Sequence, residues 1–263
     1  MTHYRLFVKP WKNLSLIEMA RHVRALGFDN IELPVRAGFW CEPEQIETDL
    51  PKITAQLADE GVRVGNITAN NALDDESLYA ACAEAGIPMS RIMCRVAGRN
   101  YWDAEDAARE QLDAALPLCE KYDMQITVQN HTKDFVGINA MGLHHLLKDY
   151  DPRYIAACWD PAHNALEGEQ LDIALDIIEA HLGMVNLKNA FWQRTNGPEA
   201  EHAEWRIYWT AGNQGRASWP LVADKLRTMN YDGALCFSAE YTDEESVDRL
   251  IVADLVYART LFG

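Results

Sequence analysis

No apolar run in the chain approaches the roughly 20 residues that a membrane-spanning helix requires, so no transmembrane segment is expected. Basic residues are also scarce. The chain has 24 lysines and arginines against 40 aspartates and glutamates, a formal charge of −16. A nucleic-acid backbone or an anionic membrane needs basic patches on its partner, so neither is expected as a partner. A phosphorylated small molecule remains compatible, because a few local bases or a helix N-terminus suffice to hold one phosphate. The six cysteines (Cys41, Cys82, Cys94, Cys119, Cys158 and Cys236) include no C-x-x-C pair. That absence argues for reduced core thiols over disulfides or a zinc knot. The opening residues, MTHYRLFVKPWKN, lack a charged region followed by an apolar core. No export signal is read there, and the expected compartment is the cytoplasm.

What is present is alternation. Strand-like apolar runs at Tyr4–Val8, Ile31–Val35, Val62–Ala69, Arg91–Val96, Gln125–Gln129, Tyr154–Trp159, Met184–Leu187 and Ala234–Ala239 are interleaved with stretches of helical period. The helical stretches are Leu14–Leu26, Glu42–Glu60, Asp74–Ala85, Asp103–Tyr122, Ala140–Lys148, Leu171–Leu182, Trp219–Met229 and Glu244–Leu261. Several end on glycine (Gly27, Gly61, Gly86), and Pro117 is expected to kink or shorten the fourth. Eight strand–helix units predict parallel strands with crossover helices, closed as a (β/α)₈ TIM barrel. At 48% hydrophobic residues, 263 residues suffice for one such domain spanning 1–263. A segment from about Ala190 to Ser218 exceeds a simple βα connection. It carries Trp192, Trp205 and Trp209, with Trp219 just beyond. It reads either as a loop pinned by aromatics or as a lid whose indoles stack on a ligand.

Polar residues recur at or near the strand ends: Glu32, Asn66, Arg95, Gln129, Asp160, Asn186 and Glu240. Most successive positions lie one βα unit apart, so they gather at the C-terminal mouth, where barrels of this kind place their sites. The sharpest stretch is Cys158-Trp159-Asp160-Pro161-Ala162-His163, where a buried strand ends on a carboxylate and an imidazole follows three residues later. Burying that acid unpaired would cost several kcal/mol, roughly, so it requires a cation or hydrogen-bond donors. Gln129, Asp160, Asn186 and Glu240 together offer oxygen atoms and two formal negative charges. Such a set suits Mg²⁺ or Mn²⁺ better than zinc, with modest affinity; the alternative is an amide-rich pocket filled by water or sugar hydroxyls.

Four runs in order carry a resemblance: Lys121 to His131 (KYDMQITVQNH), Trp159-Asp160-Pro161-Ala162-His163, Val185-Asn186-Leu187-Lys188-Asn189, and Tyr231-Asp232-Gly233 through to Glu240. They resemble the xylose isomerase-like TIM-barrel superfamily, in particular its sugar phosphate isomerase/epimerase branch. The likeness spans the chain and is sharp from about residue 120 onward. It implies a metal held by glutamate, aspartate, histidine and glutamate on strands five to eight. Asp160 and Glu240 match the second and fourth positions. Gln129 stands where the first glutamate is implied, Asn186 where the histidine is, and Asn189 where an aspartate usually follows the lysine.

The resemblance further implies paired glutamates working as acid and base beside a carbonyl. Gln129 cannot accept a proton at neutral pH, which leaves Glu240 as base and His163 as the next proton-transfer candidate. Lys188 is expected to hold a substrate oxygen or phosphate, and His131 to face the mouth. Glu32 and Arg95 are expected to pair across the barrel top, and Trp11 to form one pocket wall. These four and Lys188 are the candidate substrate-binding residues. His144-His145 lacks an i, i+4 partner and reads as an ordinary helix face.

The leading expectation is a sugar isomerase or epimerase acting next to a carbonyl of a sugar, sugar acid or polyol derivative, metal-assisted if a cation binds, with no nucleotide cofactor. A dehydratase or lyase on the same scaffold is an alternative, as is a non-catalytic carbohydrate-binding protein derived from such an enzyme. An endonuclease on this scaffold would need a histidine-rich cluster and a basic DNA face, and neither is visible.

Overall fold

A computed structural model describes residues 3–263. Eight parallel strands close a barrel: β1 (His3–Phe7), β2 (Asn30–Val35), β3 (Arg63–Ala69), β4 (Met89–Ile92), β5 (Gln125–Gln129), β6 (Ile155–Trp159), β7 (Leu182–Leu187) and β10 (Ala234–Phe237), the last pairing with both β7 and β1. The outer layer is α1 (Leu16–Ala25), α2 (Ile46–Asp59), α3 (Glu76–Ala85), α4 (Tyr101–Tyr122), α5 (Ala140–Leu147), α7 (Leu171–Ile178), α8 (Trp219–Thr228) and α9 (Val247–Phe262). A short helix, α6 (Pro161–Leu166), follows β6 directly. The result is a (β/α)₈ TIM barrel in a single domain, as the alternation predicts.

Local chemistry sets the helix ends. Ser15 and Glu18 form a capping box on α1, Asp75 caps α3, Asn100 caps α4, and Gly86 closes α3 in the left-handed conformation. Pro117 does not shorten α4, which continues to Tyr122. A proline there removes one backbone donor, and the buried face of Ala108, Leu112, Ala115 and Cys119 continues across it.

The long seventh connection is an antiparallel hairpin, β8 (Asn189–Arg194) against β9 (Trp205–Thr210). Its base is fixed by Asn189, whose Nδ2 donates to the carbonyls of Gly212 and Ala217 while its Oδ1 accepts from the amides of Ala190 and Ala217. Two glycines permit that packing. A Cβ at Gly215 would lie 2.0 Å from Asn189 Oδ1, and one at Gly212 would lie 2.5 Å from the Trp219 ring. Trp219 itself is fully buried and belongs to the core, stacked on Tyr257. The six cysteines are buried and unpaired, and among the described residues no helix is long and apolar enough to cross a membrane.

Candidate active site

Asp160 is the N-cap of α6. Its Oδ1 accepts from the amides of Ala162 (2.9 Å) and His163 (3.2 Å), and Pro161 occupies the first helical position, where no donor is needed. Its Oδ2 accepts from Gln129 Nε2 (2.9 Å) and Asn186 Nδ2 (2.8 Å). Asn130 clasps the backbone of the same residue, donating to its carbonyl and accepting from its amide. The carboxyl is fully buried; burial pushes its pKa up, against the pull of Lys188 and of its own donors.

Lys188 lies one residue past the end of β7. Its Nζ is 2.6 Å from Glu240 Oε2, 3.3 Å from His163 Nε2 and 3.7 Å from the centroid of the Trp209 ring. A second ammonium, Lys9, holds Glu240 Oε1 at 2.8 Å. Burial would raise the Glu240 pKa, but Lys188 and Lys9 outweigh it and hold the carboxyl well below the usual range. His163 is fully buried, accepts the Thr132 amide at Nδ1 (3.3 Å), and sits 3.7 Å from Asp160 Oδ2 at Nε2. Burial and the surrounding positive charge keep this imidazole neutral at pH 7. His131 packs against it with ring centroids 3.8 Å apart, and burial lowers the His131 pKa to about 4.

Deeper in the barrel, Arg91 bridges two elements. Its Nε donates to Glu32 Oε1 at 2.6 Å, its Nη1 donates to Gln129 Oε1, and its guanidinium lies over Phe7. Glu32, fully buried, also accepts from Thr68 and from the Cys236 thiol. The expected Glu32–Arg95 pair is therefore replaced by Glu32–Arg91. β4 ends at Ile92, so Arg95 falls outside the barrel wall, exposed, with its guanidinium 4.6 Å from the Phe135 centroid. Trp11 is buried; its indole N–H donates to Asp248 of the turn of α9 and its ring rests on His22 of α1. Those contacts tie it to the helical layer.

The structure thus joins Gln129, His131, Asp160, His163, Asn186, Lys188 and Glu240 into one network. Glu32 lies beneath it through Arg91, Arg95 lies beside it through Phe135, and Trp11 is apart. Sequence reasoning missed Arg91, Thr68 and Lys9, and noted Trp209 only as one aromatic of the insertion. A signal existed for Arg91: a lone base inside an apolar strand demands a buried acid, by the same argument applied to Asp160. Lys9, in the turn after β1, carries no such signal.

The sequence profile described as Xylose isomerase-like TIM barrel matches residues 20–259, nearly the whole chain. The chain belongs to this family. Solved structures with the same fold include an E. coli 3-keto-D-glucoside 4-epimerase, at 12% identity and TM-score 0.73, with 99% of this chain and 100% of that one covered. A D-psicose 3-epimerase in the presence of D-fructose matches at 14% identity and TM-score 0.74, covering 100% of both chains. A probable 3-DHS dehydratase from Bacillus anthracis matches at 12% identity and TM-score 0.72, covering 98% of this chain and 99% of that one. No curated protein matches the sequence.

A xylose isomerase-like barrel implies a divalent metal, and here the donor set does not fit one. Both carboxylate oxygens of Asp160 are taken by four N–H donors, each oxygen of Glu240 accepts from one lysine, and Asn186 Oδ1, the one oxygen of the set buried without a partner, is a single neutral ligand. Gln129 has a donor-only guanidinium on one side and a carboxylate on the other, so its oxygen faces Arg91 and its nitrogen faces Asp160. Turning that oxygen toward a cation beside Asp160 would leave N–H groups facing Arg91. Among the described residues, no group of three or more histidine, cysteine, aspartate or glutamate side chains is arranged to hold a metal.

Proposed function

We propose that this family member converts a sugar-derived substrate by moving a proton at the carbon next to its carbonyl, with the ammonium of Lys188 supplying the positive charge at the mouth. The observation that carries this reading is the placement of Lys188 Nζ between an ionised carboxylate, at 2.6 Å, and a neutral imidazole, at 3.3 Å. A carbonyl oxygen that takes the Lys188 donors is polarised where negative charge develops as the proton leaves. The same exchange strips Glu240 of one of its two cations, which raises its affinity for a proton. Glu240 then takes the proton from the adjacent carbon. His163 Nε2, on the other side of Lys188, is positioned to exchange a proton with the resulting enediolate. Return to the opposite face of the same carbon is epimerisation, and return to the former carbonyl carbon is isomerisation. Expulsion of a neighbouring hydroxyl instead gives dehydration.

Incubation with a panel of ketoses and aldoses in D₂O tests this. Turnover should place solvent deuterium at the carbon beside the carbonyl, without added metal. Absence of exchange across the panel, with binding retained, favours a second reading, a non-catalytic carbohydrate-binding protein. That reading draws on Glu240, both of whose oxygens are occupied by lysines.

A further inference from the structure

On the β2–β5 side of the mouth, a cavity of about 530 Å³ lies among the loops after β2, β3 and β4 and the face of α4. Arg36, Arg95 and Arg99 line it, together with the carboxamides of Asn70, Asn71 and Gln111, and no aspartate or glutamate lines it. In a chain of charge −16 this is a local inversion of sign. None of the three guanidiniums has a hydrogen bond or ion pair among the described residues. Arg36 lies over Phe7 with a buried Nε left without a partner, Arg95 lies over Phe135, and Arg99 is free. Asn71 Oδ1 is likewise buried and unbonded, its nitrogen being used by Pro43 and Asp75.

The cavity belongs to the same rim as the Lys188 cluster. Phe135, under Arg95, packs on His131 at 4.2 Å between centroids, and His131 packs on His163 at 3.8 Å. Arg36 is also within electrostatic reach of Glu32 and Glu240. Those two acids are held by other cations, Arg91 for the first and Lys9 with Lys188 for the second.

We infer that Arg36, Arg95 and Arg99 form an anion subsite, so that the substrate carries a phosphate or carboxylate distal to the carbonyl that meets Lys188. Guanidinium forks match either group bidentately, and these arginines, two of them resting on aromatic rings, have no carboxylate or carbonyl acceptor among the described residues to satisfy instead. A substrate bound this way spans the mouth from β3 and β4 to β7 and β10. The inference rests on the proposed reading for the carbonyl end and on its own residues for the anionic end.

Calorimetric titration tests it, with D-fructose 6-phosphate and inorganic phosphate in one arm, D-glucuronate and acetate in the other, and D-fructose as the neutral reference. One anionic sugar should bind at least about 10-fold more tightly than D-fructose, and that preference should shrink with added salt. Arg95→Gln/Arg99→Gln, both at exposed positions, should remove most of the preference and leave D-fructose binding unchanged. The arm that retains the preference identifies phosphate or carboxylate. Equal binding of charged and neutral sugars, including none by either, overturns the subsite, as does a preference that survives the double substitution. Lys188→Met separates the two ends. Anion preference kept with proton exchange lost supports both assignments, and exchange kept removes only the role of Lys188. Anion preference lost in Lys188→Met and kept in the arginine variant would move the anion to Lys188 and overturn the assignment.

Discussion

Gln129 donates from Nε2 to Asp160 Oδ2 at 2.9 Å while its Oε1 accepts from Arg91, so one carboxamide separates a buried acid from a buried base. A glutamate at this position would offer Asp160 no donor and would need a cation between the two carboxylates. The amide makes that cation unnecessary. Asn186 repeats the device from β7, donating to the same oxygen. The positive charge of the mouth is moved instead to Lys188 and Lys9 on Glu240.

Arg91 and Glu32 form an ion pair with almost no solvent exposure. Arg91→Met should leave Glu32 buried without its cation and Gln129 without its donor, lowering stability by about 3–5 kcal/mol. Urea denaturation of the variant measures this. A loss below about 1 kcal/mol would show that the pair contributes little to holding the barrel interior.

Lys188→Met and Glu240→Gln should each lower deuterium exchange into substrate by roughly 100-fold or more, the scale of one general acid–base or electrostatic contribution. Glu240→Gln should also lower the melting temperature, because Lys188 is buried and loses its counter-charge, although Glu240 is itself partly exposed and the glutamine oxygen still accepts from one lysine. Undiminished exchange in Glu240→Gln would remove it as the base.

Asp254, on α9, accepts from the Tyr241 hydroxyl at 2.8 Å and the Gly212 amide at 2.7 Å, tying the end of the hairpin connection to the last helix. Burial raises its pKa to about 6, above the ordinary value near 4. The folded chain then holds this proton more tightly than the unfolded chain, so this group's stabilisation is complete below about pH 4 and lost as pH rises through 6. The loss is on the order of 2–3 kcal/mol. Asp254→Asn carries no such ionisation, so its stability relative to the natural chain should increase between pH 4.5 and pH 7, as read by urea midpoints at the two values. A difference independent of pH would contradict it.

The barrel was legible because eight apolar runs of strand length alternate with amphipathic stretches, and few folds accommodate that pattern. Asp160 and Glu240 stood out for a related reason: charged or polar residues at the ends of buried strands must face a cavity or a partner. His163 was noted three residues past one such end, and Lys188 came from the family resemblance. The Glu32 partner was misplaced because the strand reading ran on to Val96, whereas β4 stops at Ile92 and its inward-facing base is Arg91. Helix α6 is absent from the helical stretches expected from the sequence, although an aspartate cap followed by proline is a helix start. Contacts such as Lys9 with Glu240, joining the first strand's exit to the last, depend on barrel closure and leave no local trace. The hairpin was visible as an insertion rich in tryptophan. That Trp209 faces Lys188 and His163 follows from packing alone.

In the proposed reading the cation of this site belongs to the chain, as Lys188 with Lys9 on Glu240. Calorimetric titration of Mn²⁺ and Mg²⁺ into the natural protein and into Gln129→Glu/Asn186→His tests it without any knowledge of the substrate. The natural protein should show no binding at millimolar metal, and the variant stoichiometric binding with a rise in melting temperature once the glutamate and histidine are present. Stoichiometric binding by the natural protein that disappears in Asp160→Asn or Glu240→Gln would contradict it.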